Sequence, residues 1–273
     1  MHKVVAAAII GLSFIAQASC AQNCPADAST AGEVQKLETP GSPLDTILET
    51  LRKKASELTS YECKVDYLVN QTLLESKTRR TGTLYYARFD DRSWLRVDFL
   101  TLQQDEEPQQ SYREQILFDG VWLQQISYQT ESVERRQMAE PNKPIDAFAL
   151  ASRQVPVFGF SKVEDLHKQF DIELAADEQL EPSPYHHLRM KVKPDSIYKD
   201  DYSTIDFWVD KTVGLPAKVV AVGAEADVGE TYEIKLLEPK VNTGIDRSVF
   251  QVSVPANFSM ETIPLDKQKR NQK

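Results

Sequence analysis

The sequence predicts an α+β fold: one domain built on a single antiparallel, strongly curved sheet with helices against one face. Three observations lead there. Apolar residues recur at helical spacing at the head of the domain and in short mid-chain stretches. Almost everywhere else they alternate with polar residues in short runs bounded by turn residues, the pattern of an antiparallel meander. No repeat period appears and no linker divides the chain after residue 43, so all the runs belong to one unit.

Composition sets the outer limits. The chain has 273 residues, 41% apolar and 27% charged, which is ordinary for a globular protein and excludes a disordered, collagenous or multi-span membrane chain. Its 32 Lys and Arg against 41 Asp and Glu give a net charge of −9. Such a surface repels phosphate backbones and argues against nucleic-acid binding. Three cysteines are too few for a disulfide mini-scaffold or a four-cysteine zinc site.

Residues 1–21 read as a secretory signal peptide. His2 and Lys3 precede an apolar run from Val4 to Ala16, about 13 residues, too short for the ~20 that span a bilayer. Cleavage after Ala18 or Ala21 suits the small residues there. The mature chain is therefore expected to be exported, to the periplasm. Ala18-Ser19-Cys20 also resembles the end of a lipobox, although Gln17 stands where Leu is usual, so lipid anchoring through Cys20 is the second reading. Cys24 and Cys63 are then either a disulfide in an oxidising compartment or two separate thiols. Residues 22–42 are polar, contain Pro and Gly, and read as a disordered linker.

The folded domain is expected over residues 43–262. Ser42, Pro43 and Asp45 make a near-capping-box helix start, and Leu44, Ile47, Leu48, Leu51, Ala55 and Leu58 form one apolar stripe. After Ser60 the period changes to two: Tyr61, Cys63, Val65 and Tyr67 alternate with charged residues. Further strands follow at 81–86, 94–100, 115–118, 121–128 and 131–137, with Asp119-Gly120 as the strongest hairpin signal. Ile145 to Leu150 is a short apolar helical stretch, Val155 to Phe160 an apolar loop, and Ser161-x-x-Glu164 a capping box opening a second helix. Strands resume at 170–175, 187–192, 204–209, 217–222 and 231–237, and a last element lies near Phe250. That makes about ten to eleven strands, followed by a flexible tail at 263–273.

Catalytic and phosphate-binding signatures are absent: no G-x-S-x-G, H-E-x-x-H, Walker loop, G-x-G-x-x-G or C-x-x-C occurs. His186 and His187 are adjacent on a strand and point to opposite faces, so they do not share a metal. Asp90-Asp91 and Asp200-Asp201 fall in turns, where Asp is common for backbone reasons. Cys63 has no motif-linked base. The residues point to a protein that is not an enzyme and uses no cofactor or metal.

Four segments stand in order along the chain: Gly82-Thr83-Leu84-Tyr85-Tyr86-Ala87-Arg88, Ile116 to Leu123 around Asp119-Gly120, Phe207-Trp208-Val209-Asp210 with Gly214-Leu215-Pro216, and the closing Phe250 to Pro255. Their order resembles the LolA-type outer-membrane lipoprotein carriers. The resemblance covers most of residues 44–262. It implies an open half-barrel whose helices cover the concave face like a lid over a hydrophobic cavity. Carriers of this type take lipoprotein acyl chains from an inner-membrane transporter and deliver them to an outer-membrane receptor. Arg88 occupies the strand-arginine position that contacts the lid in that family, and Trp122 stands one residue from the family's Trp. Three segments depart from the pattern: a polar insertion at 101–111, another at 194–201, and the turn Phe89-Asp90-Asp91-Arg92.

Alternation places Leu84, Tyr86 and Arg88 on one side of their strand, groups Trp122 with Ile126, and groups Phe207 with Ile205 and Val209. With Trp94 and the lid residues Phe148, Phe158 and Phe160, these are the candidate ligand-binding residues. Periodicity alone favours a packed core; the family resemblance is what points to a cavity. Arg88 either bonds the lid or a ligand, or sits at the sheet rim in water, because a guanidinium on an apolar face is costly unless paired. The functional expectation is a non-enzymatic periplasmic carrier or binder of lipoprotein acyl chains or other lipid. The alternative is an envelope signalling or scaffold domain acting through protein contacts.

Overall fold

A computed structural model describes residues 42–90, 92–147, 163–175, 183–225 and 229–265. The signal peptide, nearly all of the linker, most of the C-terminal tail and the lid candidates Phe148, Phe158 and Phe160 lie outside the described residues.

The chain opens on helix α1 (Pro43–Ser56), started by the capping box expected there: the Asp45 amide donates to Ser42 Oγ at 3.2 Å and the Ser42 amide donates back to Asp45 Oδ2 at 3.0 Å. Its stripe of Ile47, Leu48, Leu51 and Ala55 is buried, and Leu58 just beyond it is buried too.

Six strands then meander: β1 (Ser60–Gln71), β2 (Ser76–Phe89), β3 (Arg92–Gln104), β4 (Gln110–Phe118), β5 (Trp122–Ser127) and β6 (Ser132–Gln137). The β4–β5 hairpin turns at Asp119-Gly120, where Gly120 adopts φ +90° and Asp119 Oδ1 accepts from the amides of Val121 and Trp122. The polar insertion at 101–111 lengthens the β3–β4 hairpin rather than leaving it as a loop. Gly82 sits beside a bulge in β3; a Cβ there would lie 1.8 Å from the Asp98 carbonyl oxygen, so only glycine allows the strands this close.

A short helix α2 (Val163–Gln169) leads into the second meander: β7 (Phe170–Leu174), β8 (Tyr185–Val192), β9 (Tyr202–Asp210), β10 (Pro216–Gly223) and β11 (Glu230–Val241). Strand β11 pairs antiparallel with β1 and fuses the halves into one sheet, ordered β12-β6-β5-β4-β3-β2-β1-β11-β10-β9-β8-β7. The sheet has two edges, β12 and β7, and is unclosed, consistent with an open half-barrel.

Among the described residues the sheet has twelve strands, where ten to eleven were expected. The addition is β12 (Ser259–Ile263), which pairs parallel with β6 while every other ladder is antiparallel. It is reached by a segment that leaves β11, makes a 3-10 turn at Arg247–Phe250 and crosses the sheet. Four of the five residues of β12 are exposed, so it carries little apolar pattern by which to be read.

Candidate functional site

Cross-strand pairing fixes which side chains share a face. Leu84 opposes Cys63 and Val97, and Tyr86 opposes Tyr61 and Leu95. Val97 opposes Ile116, Leu95 opposes Phe118, and Phe118 opposes Leu123. Across β1 the same face continues through Val65 to Leu236, and in the second meander through Ile205, Phe207 and Val209. These residues and the α1 stripe form one apolar cluster in which Leu84, Tyr86 and Phe207 are 2%, 0% and 3% exposed. Cys63 is a buried free thiol in it, pushed up to about 12 by burial; Cys24 lies outside the described residues.

At the α1 end of this face Arg88 stands where β2 leaves the core. One of its guanidinium nitrogens donates to the Tyr86 hydroxyl at 3.2 Å and lies 3.9 Å from the Asp146 carboxylate. Burial, with Asp146 beside it, pushes the Tyr86 hydroxyl up to about 12. Asp146 belongs to the mid-chain segment, anchored on either side: the Ile145 amide donates to the Gly120 carbonyl at 2.9 Å and the Ala147 amide to Ser93 Oγ at 2.7 Å. Arg88 thus sits at the rim, 39% exposed, and touches the start of the segment expected to form the lid. Sequence reasoning marked Arg88 but not Asp146, because an acidic residue inside a short apolar stretch looks like a solvated position.

Further along the face lies a buried charge. Glu114, 3% exposed, accepts from Arg80, Tyr112 and Gln125, and the Arg80 guanidinium lies over the rings of Tyr112 and Phe99 at 5.2 and 6.0 Å. Arg80 Nε is buried with no hydrogen-bond partner. In the same cross-strand rows as Leu84 and Tyr86, Leu95, Val97, Ile116 and Leu123 pack only partly buried.

The register divides the expected ligand-binding set. Because Phe89 pairs with Arg92, Trp94 opposes Ala87 and lies on the other face from Tyr86 and Leu95. Trp122 and Ile126 share that second face, since Phe118 pairs with Leu123. The C-terminal segment crosses there. Phe250 packs on Phe89 and Trp94 with ring centroids 5.7 and 6.1 Å apart, Arg96 donates to the Val249 carbonyl, and Phe258 meets Tyr128 edge-on at 5.3 Å. Trp122 lies under the Arg135 guanidinium at 4.3 Å, and Ile126 is fully buried opposite Val133. A surface cleft of about 440 Å³ opens between Phe89, Arg92, Trp94, Arg247 and Phe250. Trp94, Trp122 and Ile126 therefore do not line one hollow with Leu84, Tyr86 and Phe207.

Among the described residues no helix is long and apolar enough to cross a membrane. No family model and no curated protein matches the chain. Among solved structures the chain is similar to an uncharacterized conserved protein from Thermus thermophilus, at TM-score 0.47 and 13% identity over 80% of this chain and 98% of that one. It is also similar to MucB, at TM-score 0.49 and 12% identity, covering 78% of this chain but 64% of MucB. MucB from Pseudomonas aeruginosa has also been solved in complex with MucA. A LolA superfamily protein from Nitrosomonas europaea matches at TM-score 0.34 and 11% identity over 76% of this chain and 97% of that one.

Proposed function

We propose that the protein is a non-enzymatic, exported carrier or binder of acyl chains, working in the periplasm on lipoproteins or other lipids. One observation carries the reading: the apolar sheet face is wider than the helix on it. The ten strands from β5 to β7 that carry the apolar cluster, spaced ~4.8 Å apart, extend ~43 Å, whereas the 14 residues of α1 make a rod ~21 Å long. Leu95, Val97, Ile116 and Leu123 lie on the helix-bearing face and are only partly buried, around a buried Phe118. In this reading α1 and the mid-chain segment cover the concave face as a lid, and an acyl chain fills what they leave. Each buried CH₂ contributes ~0.8 kcal/mol, so a 16-carbon chain gains ~12 kcal/mol before association and ordering costs. Arg88, joined to Tyr86 and Asp146, holds the lid's first residues to the sheet. An inner-membrane transporter and an outer-membrane receptor are the partners the family resemblance implies.

Extraction of lipid from the purified protein, with titration of a fluorescent fatty acid, tests this. The expected result is a one-to-one complex that Val97→Trp or Ile116→Trp weakens at least tenfold while the unfolding midpoint holds. Absence of any binding, by a protein that unfolds as a solid core, sinks it. The second reading, a scaffold domain working through protein contacts, is favoured by the tight burial of Leu84, Tyr86 and Phe207 against α1, and that outcome selects it. Mass determination of the mature N-terminus separates a freely diffusing shuttle from a protein tethered through Cys20.

A further inference from the structure

We infer that the end of the sheet where β1 finishes and β2 begins is a docking rim for a basic amphipathic helix of another protein. The inference is independent of whether the apolar face takes an acyl chain.

Of the five hairpin tips at that end, four adjoin one another: β3–β4, β1–β2, β10–β11 and β8–β9, in that order across the sheet. Hydrogen bonds join each tip to the next. The Asp105 amide donates to the Lys77 carbonyl at 2.8 Å and the Lys77 amide to Asp105 Oδ1 at 2.6 Å. Thr72 Oγ1 donates to the Gly229 carbonyl at 2.8 Å. The Ala224 amide donates to the Asp201 carbonyl at 3.0 Å. Gly229 has φ +60°, and a Cβ on it would meet Thr72 at 2.9 Å, so the contact between the middle tips is built around glycine. The tips therefore form one continuous rim.

The rim presents large apolar side chains to solvent at two points. Leu73 and Leu74, 67% and 66% exposed, stand side by side on the β1–β2 tip, and Ile197, 69% exposed, stands on the β8–β9 tip. Scattered single exposures are normal, but an adjacent leucine pair on a hydrogen-bonded turn is not a packing residue left over. Around them Glu75, Asp105, Glu106, Glu107, Asp200 and Glu225 are exposed, against Lys77 and Lys199. That charge selects the occupant. Anionic lipid headgroups are repelled, and so is a second copy of a chain with net charge −9. A segment carrying Lys and Arg beside apolar residues is attracted.

Spacing selects its form. Four strand spacings separate the two tips, which at ~4.8 Å each is ~19 Å, the length of ~13 helical residues. A helix three to four turns long seats one apolar anchor on Leu73 and Leu74 and another on Ile197, with its basic residues over the carboxylates. The two polar insertions, at 101–111 and 194–201, supply two of the four tips.

The test uses the full mature chain and an 18-residue Leu/Lys amphipathic helical peptide, followed by fluorescence anisotropy and by amide exchange. Binding that weakens with salt, protects residues 72–75 and 193–201, and falls at least tenfold in Leu73→Ser/Leu74→Ser supports the inference. Met260→Ser, an exposed residue on β12, should leave it unchanged. Affinity that survives the double leucine substitution, or protection elsewhere, overturns it. So does loss of peptide binding together with leucine-dependent sedimentation on phosphatidylcholine/phosphatidylglycerol vesicles, which assigns the rim to a membrane. Leucine-dependent self-association in sedimentation velocity also overturns it, in favour of a second copy.

Discussion

The two faces of the sheet are covered by different means. On one, α1 lays an apolar stripe into a cluster drawn from both meanders, with Leu48, Leu51, Tyr86 and Phe207 buried together. On the other, a single pass of C-terminal chain lies over a face laced with charge, anchored by Phe250 on Phe89 and Trp94 and by Arg96 on the Val249 carbonyl. The alternating sequence looks alike for both. The difference lies in how many elements depend on each cover. The helix stripe joins strands of both halves, so its loss reaches the whole fold; the crossing segment holds one end of one half, so its loss stays local.

The largest effect should come from the helix. Leu51→Ala is expected to cost about 2–5 kcal/mol, and Leu51→Asp, which buries a carboxylate, should abolish cooperative folding. Urea unfolding at constant m-value measures both. A cost under 1 kcal/mol for Leu51→Ala would mean that α1 does not seal its face and would break the comparison.

Next in size is alkaline sensitivity on the same face. Burial pushes Cys63 and Tyr86 up to about 12 from ordinary values near 9 and 10. Unfolding returns each to its ordinary value, so above pH 9 the unfolded chain releases protons that the folded chain keeps. Stability is then full below pH 9 and falls as pH rises through 9 and 10 toward 12. At pH 10.5 Cys63 alone accounts for ~2 kcal/mol. Urea midpoints at pH 7, 9 and 10.5 should show the decline, and Cys63→Ala should delay its onset to about pH 10. A flat profile to pH 10.5 would mean these groups are not sealed from water.

How far this division was legible in the sequence depends on the element. The capping box at Ser42, the α1 stripe and the Asp119-Gly120 hairpin were readable because each signal is local. The division of Trp94, Trp122 and Ile126 from Leu84, Tyr86 and Phe207 was not, since alternation assigns faces within a strand and only register relates one strand to the next. A signal did exist: the short connection after Phe89 pairs it with Arg92 and so sets Leu95, not Trp94, beside Tyr86. Strand β12 left no trace because an exposed parallel edge strand buries almost nothing. The Arg88–Asp146 contact is tertiary, between residues that no local pattern connects.

On the second face, Phe250→Ala should cost less than a core phenylalanine normally does, about 1–3 kcal/mol against 3–5, because the crossing segment can detach while the sheet stays folded. Amide exchange distinguishes the cases. Faster exchange confined to residues 247–263 sharpens the contrast between the faces, whereas equal acceleration in β1 and β9 would show that the two covers are one cooperative unit.

The smallest effect on stability should belong to Arg88, and it is the one that bears most on function. Its contact with Asp146 is 3.9 Å long, with side chains 39% and 33% exposed, and such a pair contributes about 0–1 kcal/mol. Arg88→Leu should therefore move the unfolding midpoint little, while Tyr86 keeps its buried place. In the carrier reading the same substitution frees the first residues of the lid, and exchange of a bound fatty-acid probe should change severalfold. Asp146→Asn should change exchange in the same direction, because each substitution removes the Arg88–Asp146 contact they share. Unchanged probe exchange in both would leave Arg88 a rim residue with no part in holding cargo. A large loss of stability would instead place the contact among the forces that hold the helix-covered face together.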